Sequence, residues 1–99
     1  MFIIEFSESV ALDLADLRAF DRKQILDQID SHLTHEPTRQ TRNKKQLRAL
    51  IPPWEHVGPV WELRVGEFRV FYEVEEEVSR ALIRAIRHKP PHKTIEEIL

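Results

Sequence analysis

The sequence contains no cysteine, only two glycines and no long apolar run. The absence of cysteine excludes a disulfide scaffold, a thiol nucleophile and a cysteine-ligated metal site. Two glycines are too few for the glycine-rich loops that cradle nucleotide phosphates. No apolar run approaches the roughly 20 residues that a membrane-spanning helix needs. We therefore expect a protein that does not span or bind a membrane.

The length and composition fit one globular domain. The chain has 99 residues, of which 41% are hydrophobic and 32% are charged, a balance that argues against a disordered chain. A chain of this size supports one small core, so we expect a single domain over residues 1–99. The first residues, Met1 to Glu5, lack a basic leader and a small-residue cleavage site. We therefore expect no signal peptide and a cytoplasmic location.

Charge is distributed unevenly, although the formal net charge is only -2. Residues 1–36 are mostly acidic, with eight acids against three bases. Residues 37–48 carry five bases and residues 84–93 carry four, and neither stretch contains an acid. Binding of an anion depends on the field at one face rather than on the whole-chain charge. The two basic stretches are therefore candidate contacts for nucleic acid.

The first third of the chain predicts a strand followed by two helices. Apolar and polar residues alternate over residues 2–6, which is typical of a short strand. Ser7 and Asp21 are the predicted N-caps of two helices that form an antiparallel pair. Pro37 ends the second helix. Residues 37–60 contain three prolines after that point and are predicted to be mostly loop.

A β-hairpin is the clearest pattern in the second half. Apolar residues alternate with polar ones over residues 61–65 and 68–74, with Gly66-Glu67 as the tight turn. Residues 78–89 fit either a helix, by their alanine-rich spacing, or a third antiparallel strand. Pro90 ends this element. Thr94 and Glu97 predict a capping box for a short C-terminal helical turn.

The segment Trp61-Glu-Leu-Arg-Val-Gly-Glu-Phe-Arg-Val-Phe-Tyr-Glu-Val74 resembles the sheet of the RelE/ParE superfamily of bacterial toxins. Ala85-Ile-Arg-His-Lys89 is similar to the last core strand of that family, and the resemblance covers essentially the whole chain. It implies an α+β fold with a short N-terminal strand, a helical hairpin and a mostly antiparallel four-stranded sheet. It also implies that residues 78–89 form a strand, against their helical propensity.

The resemblance also implies site residues. Arg69 corresponds to an arginine that contacts the scissile phosphate in RelE-like toxins, Arg64 lies near a sheet lysine and Lys89 near a second arginine. On an alternating hairpin, Arg64 and Arg69 are expected to lie near each other. The implied catalytic set is Arg69, Arg64, Lys89, His88 and Glu62. The candidate RNA contacts are Lys44, Lys45, Arg48, Arg87, His92 and Lys93.

Two departures from the RelE-like pattern affect the predicted chemistry. Glu62 stands where these nucleases often have a lysine, and Ile95 is nearest to their C-terminal tyrosine. Glu62, His88 or His92 is then left to transfer the proton. His88 and His92 have the spacing of a helical metal pair, but the intervening prolines forbid that helix, so we expect no metal site and no cofactor.

Simpler roles are open for several of these residues. Arg64 and Arg69 are equally compatible with exposed ion pairs to nearby glutamates, which contribute only about 0 to 1 kcal/mol. Trp54 is expected to anchor its loop. Phe71 is expected on the polar face of its strand, where it covers a helix, a base or a partner segment.

Three functions follow from the resemblance. The first is a toxin that cleaves messenger RNA on the ribosome and is neutralised by a cognate antitoxin, which itself makes any contact with DNA. The second is a ParE-like inhibitor of DNA gyrase. The third is a non-toxic binding module on the same fold, because fold alone does not decide activity.

Overall fold

The computed structural model describes residues 1–56 and 58–99, and it confirms the predicted α+β class. A 3₁₀ turn, Glu76–Val78, links the last two strands. The strands and helices in chain order are β1 Ile3–Phe6, α1 Glu8–Ala15, α2 Ala19–Leu33, β2 Lys44–Leu47, β3 Val60–Val65, β4 Phe68–Glu75, β5 Arg80–His88 and α3 Ile95–Ile98. Within the described ranges, no helix is both long and apolar enough to cross a bilayer.

The described strands form one five-stranded sheet in the order β1-β5-β4-β3-β2. β1 pairs with β5 in parallel, and the other neighbours are antiparallel. The prediction of four strands was one too few, because Lys44–Leu47 forms an edge strand inside the segment predicted to be mostly loop. This strand has four residues, three of them polar, so it has no alternating apolar pattern to mark it.

Arg80–His88 is a strand, as the family resemblance implied. β5 lies between β1 and β4, so its backbone groups pair on both sides over residues 80–83. That pairing outweighs the helical propensity of the alanines, because tertiary context overrides intrinsic preference. Val78 lies before the strand, in the 3₁₀ turn.

The predicted helix starts are right for α1 and wrong for α2. Ser7 is the N-cap of α1, although its side chain makes no capping hydrogen bond. α2 begins at Ala19, and its N-cap is Arg18, three residues before the expected Asp21 cap. Asp21 lies in the first helical turn instead, where its carboxylate accepts a hydrogen bond from Arg18 Nε at 3.3 Å.

Both faces of the sheet are covered, and the two coverings differ in size. The first face packs against α1 and α2 through a large apolar cluster that includes Val10, Ile29, Leu63 and Tyr72. The second face has a small cluster, which is Val60, Phe71 and Ala85 under Leu47, Trp54, Ile95, Ile98 and Leu99. The C-terminal helix therefore shields only part of the second face.

Three predicted details of the second face and its covering helix agree with the structure. Phe71 lies there, fully buried beneath α3 and the Trp54 loop. Trp54 anchors its loop by donating a hydrogen bond from Nε1 to Glu73 Oε2 at 3.1 Å, with the Arg84 guanidinium 5.5 Å from its ring centroid. Thr94 and Glu97 form the predicted capping box of α3.

Lys44 is buried where β2 meets the end of α2. Its ammonium donates hydrogen bonds to the carbonyl oxygens of His32 at 2.9 Å and Glu36 at 2.6 Å. Burial lowers the pKa of Lys44, and the negative charge of Glu36 partly opposes that change. The lysine thus satisfies one carbonyl in the last turn of α2 and one just beyond the helix, where a positive charge is also favourable.

Lys44→Met is expected to lower the free energy of unfolding by about 1–3 kcal/mol, because two carbonyls lose their buried donor. The matched control is Lys45→Met, since the neighbouring Lys45 side chain is 59% exposed and its loss should cost under about 0.5 kcal/mol. Urea denaturation of both variants measures the difference. Equal midpoints for the two variants would contradict a structural role for Lys44.

Candidate functional site

Strand pairing gathers four charged residues on the second face of the sheet, next to the β3–β4 turn. Arg64 pairs directly with Arg69, and Lys45 pairs with Glu62. Residues that pair across strands, or lie two apart on one strand, share a face. Lys45, Glu62, Arg64 and Arg69 therefore form one group, which confirms the predicted proximity of the two arginines.

Glu62 and Arg69 form a buried ion pair at the centre of this group. Arg69 Nε lies 3.0 Å from Glu62 Oε1, and the two side chains are only 8% and 4% exposed. Arg69 Nη1 also donates to the carbonyl oxygens of Gly66 at 2.9 Å and Phe68 at 2.8 Å. The guanidinium is thus fixed by the turn and by the carboxylate together.

The surroundings of Arg69 have opposing effects on the pKa of its guanidinium. Burial lowers the pKa of its guanidinium, the positive charge of Arg64 lowers it further, and Glu62 raises it. Because a guanidinium has a very high pKa, Arg69 stays charged. Glu62 is therefore a requirement for burying Arg69, since an unpaired buried charge is costly.

One oxygen of Glu62 has no hydrogen-bond partner. Oε2 is buried and unpaired within the described residues, and the nearest ammonium, Lys45 Nζ, is 3.9 Å away. Glu62 lines a small cleft of about 70 Å³ together with Arg42, Asn43, Lys45 and Arg64. We call these five residues the basic cleft, because three cations there face a single carboxylate.

The basic cleft has the features of a phosphate-binding site. Arg64 is exposed and makes no ion pair within the described residues, so its guanidinium is available to an anion. Arginine binds phosphate through paired N–H groups, and lysine binds it as a point charge. Glu62 lines the same cleft, and its unpaired Oε2 lies buried beneath the surface.

Two of the predicted catalytic or RNA-binding residues, His88 and Arg87, lie away from the cleft or have other partners. His88 pairs with Phe68 on the helix-packed side, and its Nε2 lies 3.1 Å from Glu67 Oε2. Arg87 is opposite Arg69 in register, but its guanidinium binds Asp13 at 2.8 Å. His88 therefore lacks the position for proton transfer at this cleft.

The remaining predicted contacts are dispersed. Lys44 has its ammonium buried, so it has no free charge for RNA. Arg48 is exposed beside a separate cleft that Leu47 and His56 also line. His92 and Lys93 are exposed beyond β5, and Lys89 donates its backbone N–H to Glu67. None of these residues lines the basic cleft.

Sequence reasoning missed Arg42 and Asn43 as part of the site. The backbone carbonyl oxygen of Asn43 accepts a hydrogen bond from the backbone N–H of Arg64 at 2.7 Å, which places this loop against β3. The Thr41 hydroxyl accepts the backbone N–H groups of Asn43 and Lys44, each at 3.2 Å, and shapes the turn into β2. The basic run of residues 37–48 was the available signal, but it did not separate Arg42 from its neighbours.

The cleft offers no metal-binding chemistry in the described parts of the chain, since no group of three histidine, aspartate or glutamate side chains converges there or elsewhere. Ile95, at the position nearest to the family's tyrosine, packs on the small apolar cluster of the second face. The residues lining the cleft thus include neither an imidazole nor a phenol.

Comparison with known proteins places this fold. The archaeal RelE–RelB complex from Pyrococcus horikoshii OT3 contains a chain with 21% identity and a TM-score of 0.69, over 94% of this chain and 98% of that one. The toxin–antitoxin complex RelBE2 from Mycobacterium tuberculosis gives 20% identity and a TM-score of 0.68, over 89% and 98%. The isolated RelE toxin of E. coli gives 14% and 0.60, over 98% and 94%.

These identities establish similarity of fold. No curated protein matches the sequence. A family model for the ParE toxin of type II toxin–antitoxin systems, parDE, matches residues 4–89, which is most of the chain. The chain therefore belongs to the ParE toxin family of type II toxin–antitoxin systems, within the RelE/ParE superfamily.

Proposed function

We propose that this toxin inhibits translation by cleaving messenger RNA on the ribosome without a metal ion. The observation that supports this most directly is the basic cleft, where Arg42, Lys45 and Arg64 line the same depression as Glu62, whose Oε2 has no hydrogen-bond partner. Cations bind and stabilise the phosphate, and a carboxylate accepts a proton. One small cleft thus offers both groups that RNA cleavage needs.

In the proposed reaction, RNA binding exposes Glu62 Oε2, which is buried in the free protein, and this oxygen accepts the proton of a ribose 2′-hydroxyl. The 2′-oxygen bonds to the adjacent phosphorus, and the bond from phosphorus to the 5′-oxygen breaks. The leaving oxygen takes a proton from solvent, and Glu62 later returns its proton to solvent. Arg64 and Lys45 stabilise the charge that develops on the phosphate oxygens. Arg69 holds the Glu62 carboxylate in position through their ion pair.

We propose that cleavage requires the ribosome, because the basic cleft offers RNA only charged contacts. No aromatic side chain lines it, so it has no ring on which a base can stack, a contact worth about 1–3 kcal/mol per base. A partner that already holds messenger RNA in an extended form supplies the missing orientation. Correct orientation of reacting groups is itself a large part of catalysis.

We also propose that a cognate antitoxin neutralises this chain. The similar chain from Pyrococcus horikoshii was solved in a RelE–RelB complex, and the one from Mycobacterium tuberculosis was solved in a toxin–antitoxin complex. The proposal for this chain rests on its family and on those assemblies. On this proposal, any contact with operator DNA comes from the antitoxin and not from the toxin.

Inhibition of DNA gyrase is the second candidate function. It is favoured by the absence of histidine and tyrosine from the basic cleft and by the ion pair that neutralises Arg69. On that alternative the cations bind an acidic protein surface, and no proton transfer is required. The match to the ParE family model agrees with either activity because activity varies within one fold.

Induction of this chain in bacteria, followed by pulse-labelling of protein and DNA, tests the two functions. Early loss of methionine incorporation, with thymidine uptake unchanged, is the expected outcome. Early loss of thymidine uptake instead supports gyrase inhibition. If neither falls while folded protein accumulates, toxicity is absent in that host and the chain acts as a binding module.

Glu62→Gln is expected to lower ribosome-dependent cleavage by about 100-fold or more, because the proton acceptor is lost. RNA affinity should stay the same or rise, since the basic cleft loses its only negative charge. Single-turnover cleavage and fluorescence anisotropy separate the two effects. Circular dichroism identifies a variant that has simply unfolded.

The control for this variant is Glu67→Gln at the exposed hairpin turn, which should leave cleavage unchanged. A Glu62→Gln protein that is folded and cleaves at the wild-type rate would exclude Glu62 as the base. A parallel loss of affinity and cleavage would instead assign it a structural role.

Arg64→Ala is expected to weaken RNA binding and to reduce the salt dependence of the affinity by about one phosphate contact. Arg64 makes no ion pair in the described structure, so its removal should not affect folding. Arg18→Ala is the matched control, because the Arg18 side chain is 86% exposed on the helical side. If RNA affinity depended on salt concentration equally in both variants, RNA would not bind at Arg64.

A further inference from the structure

A second depression lies at the end of the sheet opposite the β3–β4 turn. It is a groove of about 670 Å³ between the start of β3, the end of β4 and the 3₁₀ turn. Its apolar lining consists of Pro59, Trp61, Val74 and Val78. This volume lies within the usual range for binding pockets, about 300–1,000 Å³. The groove can therefore accept a few side chains of a partner.

The rim of the groove is acidic. Glu75, Glu76 and Glu77 line it in sequence, and all three are exposed. Glu75 is paired with Arg80, whose Nη2 lies 2.6 Å from Glu75 Oε1. Glu76 and Glu77 make no side-chain ion pair or hydrogen bond within residues 1–56 and 58–99. Two adjacent charges at the rim are thus left for an external partner.

The 3₁₀ turn holds an apolar side chain beside these charges. Val78 is 59% exposed, although it lines the groove. Ser79 ends the turn in the left-handed conformation, with φ +50°, and its N–H donates to the Glu76 carbonyl at 3.2 Å. Val78, Glu76 and Glu77 therefore occupy a defined turn next to the groove. An apolar surface rimmed by polar groups is typical of an interaction site.

We propose that this acidic-rimmed groove docks a basic, amphipathic segment of the protein that neutralises the toxin. Lysine or arginine side chains of that segment would pair with Glu76 and Glu77, and its apolar side chains would contact Trp61 and Val78. Charge complementarity excludes nucleic acid and anionic membranes, whose phosphates the unpaired carboxylates of Glu76 and Glu77 repel. The choice of occupant rests on the proposed toxin function, whereas its basic, apolar chemistry follows from the groove alone.

Charge reversal at the rim tests this docking surface. A neutralising protein is first selected from the source genome as clones that restore growth to induced cells. Glu76→Lys combined with Glu77→Lys should weaken its binding to the toxin by about tenfold or more, because like charges then face each other. The same variant should still arrest growth when induced alone, since the rim is distant in sequence and strand position from the basic cleft. It should also escape rescue by the neutralising protein.

The matched control is Asp16→Lys combined with Asp27→Lys. Asp16 is exposed at the C-cap of α1 and Asp27 is exposed on α2, and the double replacement makes the same change in net charge. This control should bind the neutralising protein as the wild type does. Equal weakening in both double variants would show an effect of net charge only and would overturn the proposal. Unchanged binding of the Glu76, Glu77 variant would overturn it as well.

A second measurement is independent of toxicity. In an NMR titration, a synthetic amphipathic peptide of leucine and lysine should shift the Trp61 indole and the amides of the 3₁₀ turn. A leucine and glutamate peptide of the same length should not. If pulse-labelling shows no toxicity, the proposed function is wrong, but this titration still tests whether the groove binds a basic amphipathic segment. Shifts confined to other surfaces would overturn the proposal even in a toxic protein.

Discussion

The buried ion pair between Glu62 and Arg69 is the interaction on which the site depends. Two charges on the second face of the sheet are nine-tenths or more buried, and each requires the other to remain there. Arg69 also closes the hairpin by donating to two carbonyls at its turn. The pair therefore fixes the hairpin and leaves one carboxylate oxygen of Glu62 unpaired. Arg42, Lys45 and Arg64 line the same cleft as Glu62, and the Lys45 ammonium lies 3.9 Å from that oxygen.

Alternation along one short strand separates two lysines with different roles. Lys44 points toward the helices, and its ammonium donates hydrogen bonds to the carbonyl oxygens of His32 and Glu36. Lys45 lies on the second face beside Glu62. A shift of one residue in the β2 register would exchange them and bury the wrong ammonium. One short strand therefore stabilises the fold through Lys44 on one face and contributes Lys45 to the basic cleft on the other.

The sequence was sufficient for the elements that have a strong period or a clear turn. Alternation on both sides of Gly66 predicted the hairpin and the proximity of Arg64 and Arg69. β2 was missed because a short polar edge strand has no apolar pattern, and its pairing depends on β3, far along the chain. The burial of Lys44 was missed for the same reason. His88 was assigned to the site because its side of the sheet depends on its register with Phe68, which a single sequence does not reveal. The family resemblance, rather than the residue pattern, decided that residues 80–88 form a strand.

The parallel pairing of β1 with β5 has a consequence for the order of folding. Ile3 pairs with Arg80 and Phe6 with Ile83, so the first strand cannot complete the sheet until most of the chain has been synthesised. Pairing across so long a segment has an entropic cost that slows folding relative to local structures such as the β3–β4 hairpin. The chain emerging from a ribosome therefore stays incomplete at its N-terminal edge until late in synthesis. A toxin built in this order reaches its finished form at the very end of its own translation.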